Sequence, residues 1–407
     1  MASRSAHSAT AERNLRSGIS VWQDSTNAHV AARPLTRSLK ADVVIVGAGI
    51  SGAFMAHALA GRFENVVVVD RRPPLHGSTM ASTAMLQFEI DVPLTKLAEQ
   101  IGWAKSARAW RRSWNATREL KRLIVEEGIH CGYQPRGALY LSGDDLGHRA
   151  LIKEQKARKR AGIDGRYLDA AALKEKFGID REGAIESANS ASANPVQLAA
   201  GLLRRSGAAV YSPVEIRDYL ATPHGVVLDT GEHFIEARHC VFCTGYELLK
   251  GIPRKGVKIT SSWAIASRPN AHYPAWLNDM LIWEASDPYL YLRTTPDRRL
   301  IIGGEDEEVD VPSHRARVIP RKTTALERKL RRLLPDVDFT LGKEWAGAFG
   351  ESVDGLPIID AVPDMPNCHT VMGIGGNGTI YSFIAAQILS RRLKGRQDKD
   401  SDLYRFR

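Results

Sequence analysis

A chain of 407 residues, 43% hydrophobic and 25% charged, has the composition of a globular protein long enough for two intertwined domains. No apolar run approaches the roughly 20 residues of a membrane-spanning helix, and residues 1–40 lack the continuous apolar core of a secretory signal. Net charge is +10, but the basic residues are dispersed over helix-like stretches such as 153–160 and 328–334, without interleaved aromatics. These runs read as solvated faces, and a nucleic-acid partner is not expected.

Residues 1–40 carry Arg4, Arg13, Arg16, Arg33 and Arg37 with few acids. They read as a basic leader, partly disordered, whose last part packs on the body through Trp22, Pro34 and Leu35; an organelle transit peptide is the alternative. ADVVIVGAGISG (41–52) and NVVVVDR (65–71) then enclose a short helix pattern of small residues. Strand, glycines, helix, strand and acid stand in register as a dinucleotide-binding βαβ unit. Gly47 permits the tight turn, Gly49 lets a pyrophosphate approach the backbone, and Gly52 lets the helix pack on the strand. Asp70 is placed for the adenosine ribose, and the helix N-terminus faces the phosphates.

HGSTMASTAMLQFEID (76–91) is rich in small and hydroxyl residues. Leu94, Leu97, Ile101, Trp110, Trp114, Leu120 and Ile124 recur at helical spacing across 92–127. A strand at 137–143, a charged helix and a small helix within 167–189 follow, and Asn194-Pro195 opens another helix. Strands alternate over 208–216 and 225–245. Residues 256–267 form a further strand, and 287–295 with 299–307 form a hairpin before a basic helix at about 320–334. Early and late returns of the strand pattern imply a nucleotide domain in three pieces, 41–95, 195–255 and 345–395. A second domain, 96–194 with 256–344, is inserted in two, and 396–407 is a charged tail.

Cys131, Cys240, Cys243 and Cys368 complete no zinc site, and the pair in RHCVFCTG lies on a strand pattern that turns its members to opposite faces. All four read as reduced thiols of a cytoplasmic protein, and no metal is expected. The same strand closes on Thr244 and Gly245, which let the chain pass close to a bound dinucleotide. Glycines 373, 375, 376 and 378 precede an amphipathic helix and deliver its N-terminus to a site of developing negative charge. In YLYLR, Tyr289, Tyr291 and Arg293 share one strand face and Leu290 and Leu292 the other. The first face has hydroxyls and a guanidinium suited to a carboxylate; a solvated surface face is the competing reading.

Together ADVVIVGAGISG, VVVVDRR, GSTMASTAMLQ, CTGYE, WAGAFGESVDGLPII and GIGGNGTIYSFIAAQIL resemble the FAD-dependent D-amino-acid oxidase, glycine oxidase and sarcosine oxidase superfamily, over roughly residues 20–395. The resemblance implies an α/β chain. Its discontinuous Rossmann-like FAD-binding domain carries an inserted α+β substrate domain on a mixed, largely antiparallel sheet. It places the ADP moiety on Gly47, Gly49, Ile50, Ser51, Gly52, Asp70 and Arg71, with adenine against Ile216. Ser78, Thr79, Ser82 and Thr83 would run beside the pyrophosphate, ribityl chain and flavin. Thr244 and Gly245 pass close by, and Gly375, Gly376, Asn377, Gly378 and Thr379 meet the isoalloxazine. Tyr289, Tyr291, Arg293 and Gln87 are the substrate-positioning candidates, Gln87 standing where sarcosine oxidases tend to carry an Arg.

The implied activity is oxidation of the C–N bond of a small, carboxylate-bearing amine or amino acid by hydride transfer to flavin N5. No His follows the G-S-T tripeptide and no Cys stands near WAGAFG, so the FAD is expected to be non-covalent. Ile301 stands where some oxidases of the superfamily carry a Lys, which points to a quinone or another acceptor besides O2. A 2-hydroxy-acid dehydrogenase, a tRNA-modifying flavin module and a flavin-binding subunit of a larger dehydrogenase are the alternatives. Oligomeric state is left open.

Overall fold

The computed structural model describes residues 9–10, 14–25, 28–248, 250, 252 and 256–407; Arg4, Arg13 and the other leader residues at 1–8, 11–13 and 26–27 lie outside the described residues. Two sheets carry the chain. The first has eight strands, and its main path runs Ile358–Ala361, Cys368–Met372, Phe234–Phe242, Leu39–Val46, Val66–Val69 and Ala209–Tyr211. Leu39–Val46 pairs in parallel with Val66–Val69 and with Phe234–Phe242, the arrangement required by helical crossovers. These central strands are unbroken runs of Val and Ile because both faces are covered; Val43, Val44 and Ile45 are fully buried. Helices Ile50–Leu59, Pro195–Ser206 and Gly378–Arg392 pack together on one face. On the other, Val226 and Leu228 of an antiparallel meander join Val44, Val46 and Val67 in one cluster.

The second sheet has ten strands and is antiparallel except where Met280–Glu284 runs parallel to Gln134–Leu141. Leu326, Leu330 and Leu333 of helix Ile319–Leu333 pack on Leu290, Leu292 and Ile302 of this sheet. Its apolar strand residues are therefore explained by a helix lid, as the alternation in YLYLR requires.

Two segments sit elsewhere than the sequence suggests. Residues 345–352, grouped with the nucleotide half, belong to strand Leu341–Ser352 of the ten-stranded sheet. Helix Trp103–Glu126, grouped with the inserted domain, buries Trp110, Leu120 and Ile124 in the same cluster as Ile384 and Leu389 of the last helix. Within the leader, Trp22 is buried as its packing role requires, Leu15 is buried with it, and Arg16–Gly18 is a strand paired with Trp345–Gly347. Two large apolar side chains decide the place of this otherwise basic segment.

The turn after Leu39–Val46 fixes how the first helix leaves the sheet. Gly47 has φ of 114°, a conformation that side chains disfavour, and its amide donates to Val69 O at 2.8 Å. A Cβ on Gly52 would stand 1.8 Å from Gly47 O. Gly52→Ala is accordingly expected to push the helix off the strand and cost at least about 1–3 kcal/mol, read as a lowered midpoint in thermal or denaturant unfolding.

Candidate active site

A single continuous cavity follows the seam between the two sheets, from the glycine turn of residues 47–52 to the face of the hairpin strand Leu290–Thr294. At the first end Asp70 lines it, but its carboxylate is already committed to the loop. Oδ2 accepts from Ala48 N at 2.7 Å and Oδ1 from Arg72 N at 2.9 Å. Burial pushes the Asp70 pKa up, while these amides and the Arg72 charge hold it down. Arg72 in turn forms a fork with Glu247, at 2.6 Å on each oxygen. Glu247 lines the cavity two residues beyond Gly245. Ile216 lines it too, its carbonyl accepting from Ala9 N at 2.8 Å. The leader supplies two further wall residues, Thr10 and Leu15.

The middle of the cavity is set by a segment with little side-chain bulk. Ser78–Ala81 forms one 3₁₀ turn, and Thr79 Oγ1 accepts from Ile50 N at 2.9 Å, joining it to the first helix. Two indoles hold the rest: Trp22 Nε1 donates to Ser82 O at 2.6 Å and Trp345 Nε1 to Ala81 O at 2.9 Å. Ser78, Thr79, Ser82 and Thr83 are thereby presented to the cavity together with Thr244, Gly245 and residues 375–379. Gly47, Gly49, Ile50, Ser51 and Arg71 also line it. Gly52 does not; it packs beneath Gly47, the role assigned to it. Ser78 Oγ and Asn377 Oδ1 are buried without a hydrogen-bond partner, orphans that an extended polar ligand would satisfy. The wall residues fit the dinucleotide expected from the sequence.

At the far end Tyr289, Tyr291 and Gln87 line the cavity, as expected. Tyr291 lies across Gly303 of the neighbouring strand, where a Cβ would stand 2.3 Å from its hydroxyl. Arg293 is a correction. It shares the face of Tyr291 but stands about 7 Å further along the strand, and it is not among the lining residues. Its guanidinium donates to Ala193 O at 3.1 Å and lies over the Trp22 ring, 5.3 Å from the centroid. Burial, with Arg136 nearby, lowers its pKa to about 9. The strand simply runs past the cavity, and the docked leader closes over its end.

Three carboxylates that the sequence reading did not single out gather at this end. Asp91 and Glu351 line the cavity, and Asp306 accepts from Tyr289 Oη at 2.9 Å. Asp91 also accepts from Gly376 N at 2.8 Å, taking one amide of the glycine turn. Its carboxylate is open to the cavity yet deep in the molecule, and burial pushes its pKa up. Burial first, then the charges of Asp91 and Asp306, raise Glu351 to about 7; burial chiefly raises Asp306 to about 6. Each acid follows a segment that the motifs already marked, so the signal was position beside a motif.

The profile of FAD-dependent oxidoreductases matches residues 42–392. The chain belongs to that family. Its cofactor is therefore FAD, a dinucleotide that the residues of the cavity wall fit. Among relatives, the glycine oxidase of Geobacillus kaustophilus is 22% identical over 372 residues, covering 86% of this chain and 93% of its own. The probable oxidoreductase OrdL of Haemophilus influenzae is 21% identical over 398 residues, covering 93% and 89%. The crystal structure of the same glycine oxidase superposes with a TM-score of 0.71, at 20% identity, over 88% of this chain and 96% of its own. That of L-proline dehydrogenase from P. horikoshii gives 0.72 at 18% identity, over 90% and 97%. These likenesses confirm the expected fold, a nucleotide domain carrying a substrate domain on a largely antiparallel sheet. No helix among the described residues is long and apolar enough to cross a membrane, and no group of His, Cys, Asp and Glu there could hold a metal. The four cysteines are free and buried.

The raised acids make stability depend on pH. A carboxyl held above its unfolded pKa keeps a proton that the unfolded chain has lost, so stability falls as pH rises between the two values. For Glu351 that window runs from about 4.5 to about 7. Cofactor-free protein is expected to lose stability from pH 5 to 7.5 in denaturant titrations, and Glu351→Gln is expected to flatten that slope. An unchanged slope in the variant would refute the assignment.

Proposed function

We propose that the enzyme oxidises the C–N bond of a small amine, bound at the end of the cavity opposite Asp70. The observation that carries this reading is the charge of that end. Tyr289, Tyr291, Gln87, Asp91 and Glu351 line it, whereas the only described cationic side chains in the cavity wall are Arg71 and Arg72, beside Asp70 and Glu247. A 2-hydroxy acid would need a cation for its carboxylate and a base for its hydroxyl, and no histidine is found among the described wall residues. A tRNA would have to bring phosphates toward Asp91 and Glu351.

When bound, the flavin supplies a two-electron acceptor for the hydride leaving the carbon next to nitrogen. The residues of the chain prepare the amine. It arrives as an ammonium and must shed a proton first. A carboxyl titrating near neutrality, such as Glu351 at about 7, is matched to accept it. The hydroxyls of Tyr289 and Tyr291 orient the substrate from the neighbouring sheet. Ile301 is buried in that sheet and no lysine is found among the described wall residues, which favours an acceptor other than O2.

Anaerobic addition of amines is expected to bleach the flavin band, and addition of 2-hydroxy acids to leave it unchanged; bleaching by hydroxy acids alone would sink the reading. The FAD is proposed to be held non-covalently, since no histidine stands in the described wall and Cys243, its one cysteine, is buried beside strand Phe234–Phe242. Acid precipitation should release all the yellow colour, and a pellet that stays yellow would show a covalent link.

A further inference from the structure

We infer that the substrate carries a second cationic group and no free carboxylate: a diamine, or an amine with a distal amidinium, held by the carboxylates of Asp91 and Glu351, with Asp306 behind Tyr289. This rests on the amine reading above and narrows it. The three acids come from separate elements, the loop after Met85–Leu86, the strand Leu300–Glu307 and the strand Leu341–Ser352. Asp91 and Glu351 line one end of the cavity, and Asp306 joins them through its bond with the wall residue Tyr289; the charge of Asp91 raises both of the others.

Nothing described in the wall at that end neutralises them. Lys258 lowers the Glu351 pKa and Lys322 that of Asp306, but neither lines the cavity: Lys258 pairs with Glu308, and Lys322 sits on Glu305 O at 2.6 Å and on Glu307 Oε1 at 2.9 Å. Charge of one sign at a low-dielectric site is unfavourable until a counter-ion enters.

A second observation is independent of charge. Asp306 Oδ1, Asn377 Oδ1 and Gln87 Oε1 are buried acceptors without a hydrogen-bond partner. Asn377 is only 3% exposed and, with Gln87, lines the cavity. Ser262 Oγ stands near enough to Asp306 to lower its pKa, so the acceptors left for a ligand are chiefly those of Gln87 and Asn377. A group that satisfies several acceptors at once must be rich in N–H, as ammonium and amidinium are. An α-carboxylate brings acceptors to acceptors and charge to like charge. The relocation of Arg293 removes the one cation that had argued for an amino acid.

The test uses the FAD-loaded enzyme and four-carbon probes that differ only in the distal group: 1,4-diaminobutane, butylamine and 4-aminobutyrate. Flavin bleaching under anaerobic conditions is expected to show half-saturation at least tenfold lower for the diamine than for butylamine, with 4-aminobutyrate weakest. Calorimetric titration with the dication 2,5-dimethylhexane-2,5-diamine, which keeps its N–H donors but has no hydrogen on the carbon next to nitrogen, should show binding, and titration with succinate none. Glu351→Gln and Asp306→Asn are each expected to weaken dication binding tenfold or more. Preference for 4-aminobutyrate, or tighter binding of succinate than of the dication, would overturn the inference. If the dication binds while no amine bleaches the flavin, the amine-oxidation reading fails and the acidic pocket stands. If amines bleach it without preference for the diamine, the pocket inference fails and that reading stands.

Discussion

The contact between the Gly47 carbonyl and the Cα of Gly52 is the constraint on which the rest of the molecule hangs. With no Cβ at either position, helix Ile50–Leu59 begins directly above the end of the central strand, and its N-terminal amides open into the inter-sheet seam. Any side chain at Gly52 would lift that helix and open the packing of Phe54, Met55 and Ala56 against the last helix. The same short turn leaves Asp70 within reach of Ala48 N, so the acid of the fingerprint braces the loop as well as facing the cavity. A ligand site whose backbone donors are fixed by two hydrogen-bonded neighbours needs little reorganisation to bind a phosphate.

A second constraint comes from indole side chains. Trp22 and Trp345 bond successive carbonyls of the segment 81–82, one from the leader and one from the ten-stranded sheet. A segment of serine, threonine and alanine has Met80 as its one large apolar anchor, and a loop of that composition is ordinarily mobile. The two donors fix it as the floor of the flavin cavity. They also tie the leader to the site, which explains why Leu15 and Trp22 are buried while their neighbours in sequence are basic.

The cavity is electrically asymmetric. Asp70 and Glu247 at the adenosine end are balanced by Arg71 and Arg72, and the Arg72–Glu247 fork is a two-point contact in a partly buried place. Asp91, Asp306 and Glu351 at the other end have no such fork, and Lys322 and Lys258 offset the charge of the second and third only in part. Buried acids without counter-ions are costly and tend to stay protonated. Their concentration at the substrate end is therefore a property of function more than of folding, in line with the general clustering of perturbed acids at active sites.

Much of the architecture was legible because its signals are local. The valine and isoleucine runs, the three glycines and Asp70 gave the βαβ unit, and the alternation in YLYLR gave a strand with leucines against a helix. Strand Gly183–Ser192 was not read. Its Gly, Ala, Ser and Asn have low strand preference, and pairing with Gln134–Leu141 and Arg166–Asp169 supplies what the residues lack. The family resemblance likewise picked out many small residues that line the cavity, since those are carried by contiguous motifs. Contacts assembled from distant segments were beyond it. Arg293 stands on the expected face yet outside the cavity, because strand length and leader docking are tertiary facts. Asp91, Asp306 and Glu351 are separated by 215 and 45 residues, and only the meeting of a loop with two strands makes them one charged site. By itself the sequence determined that the chain holds a dinucleotide and which glycine turn opens its cavity. The charge that awaits the substrate was decided by the tertiary structure, because electrostatic interaction depends on distance in space and not along the chain.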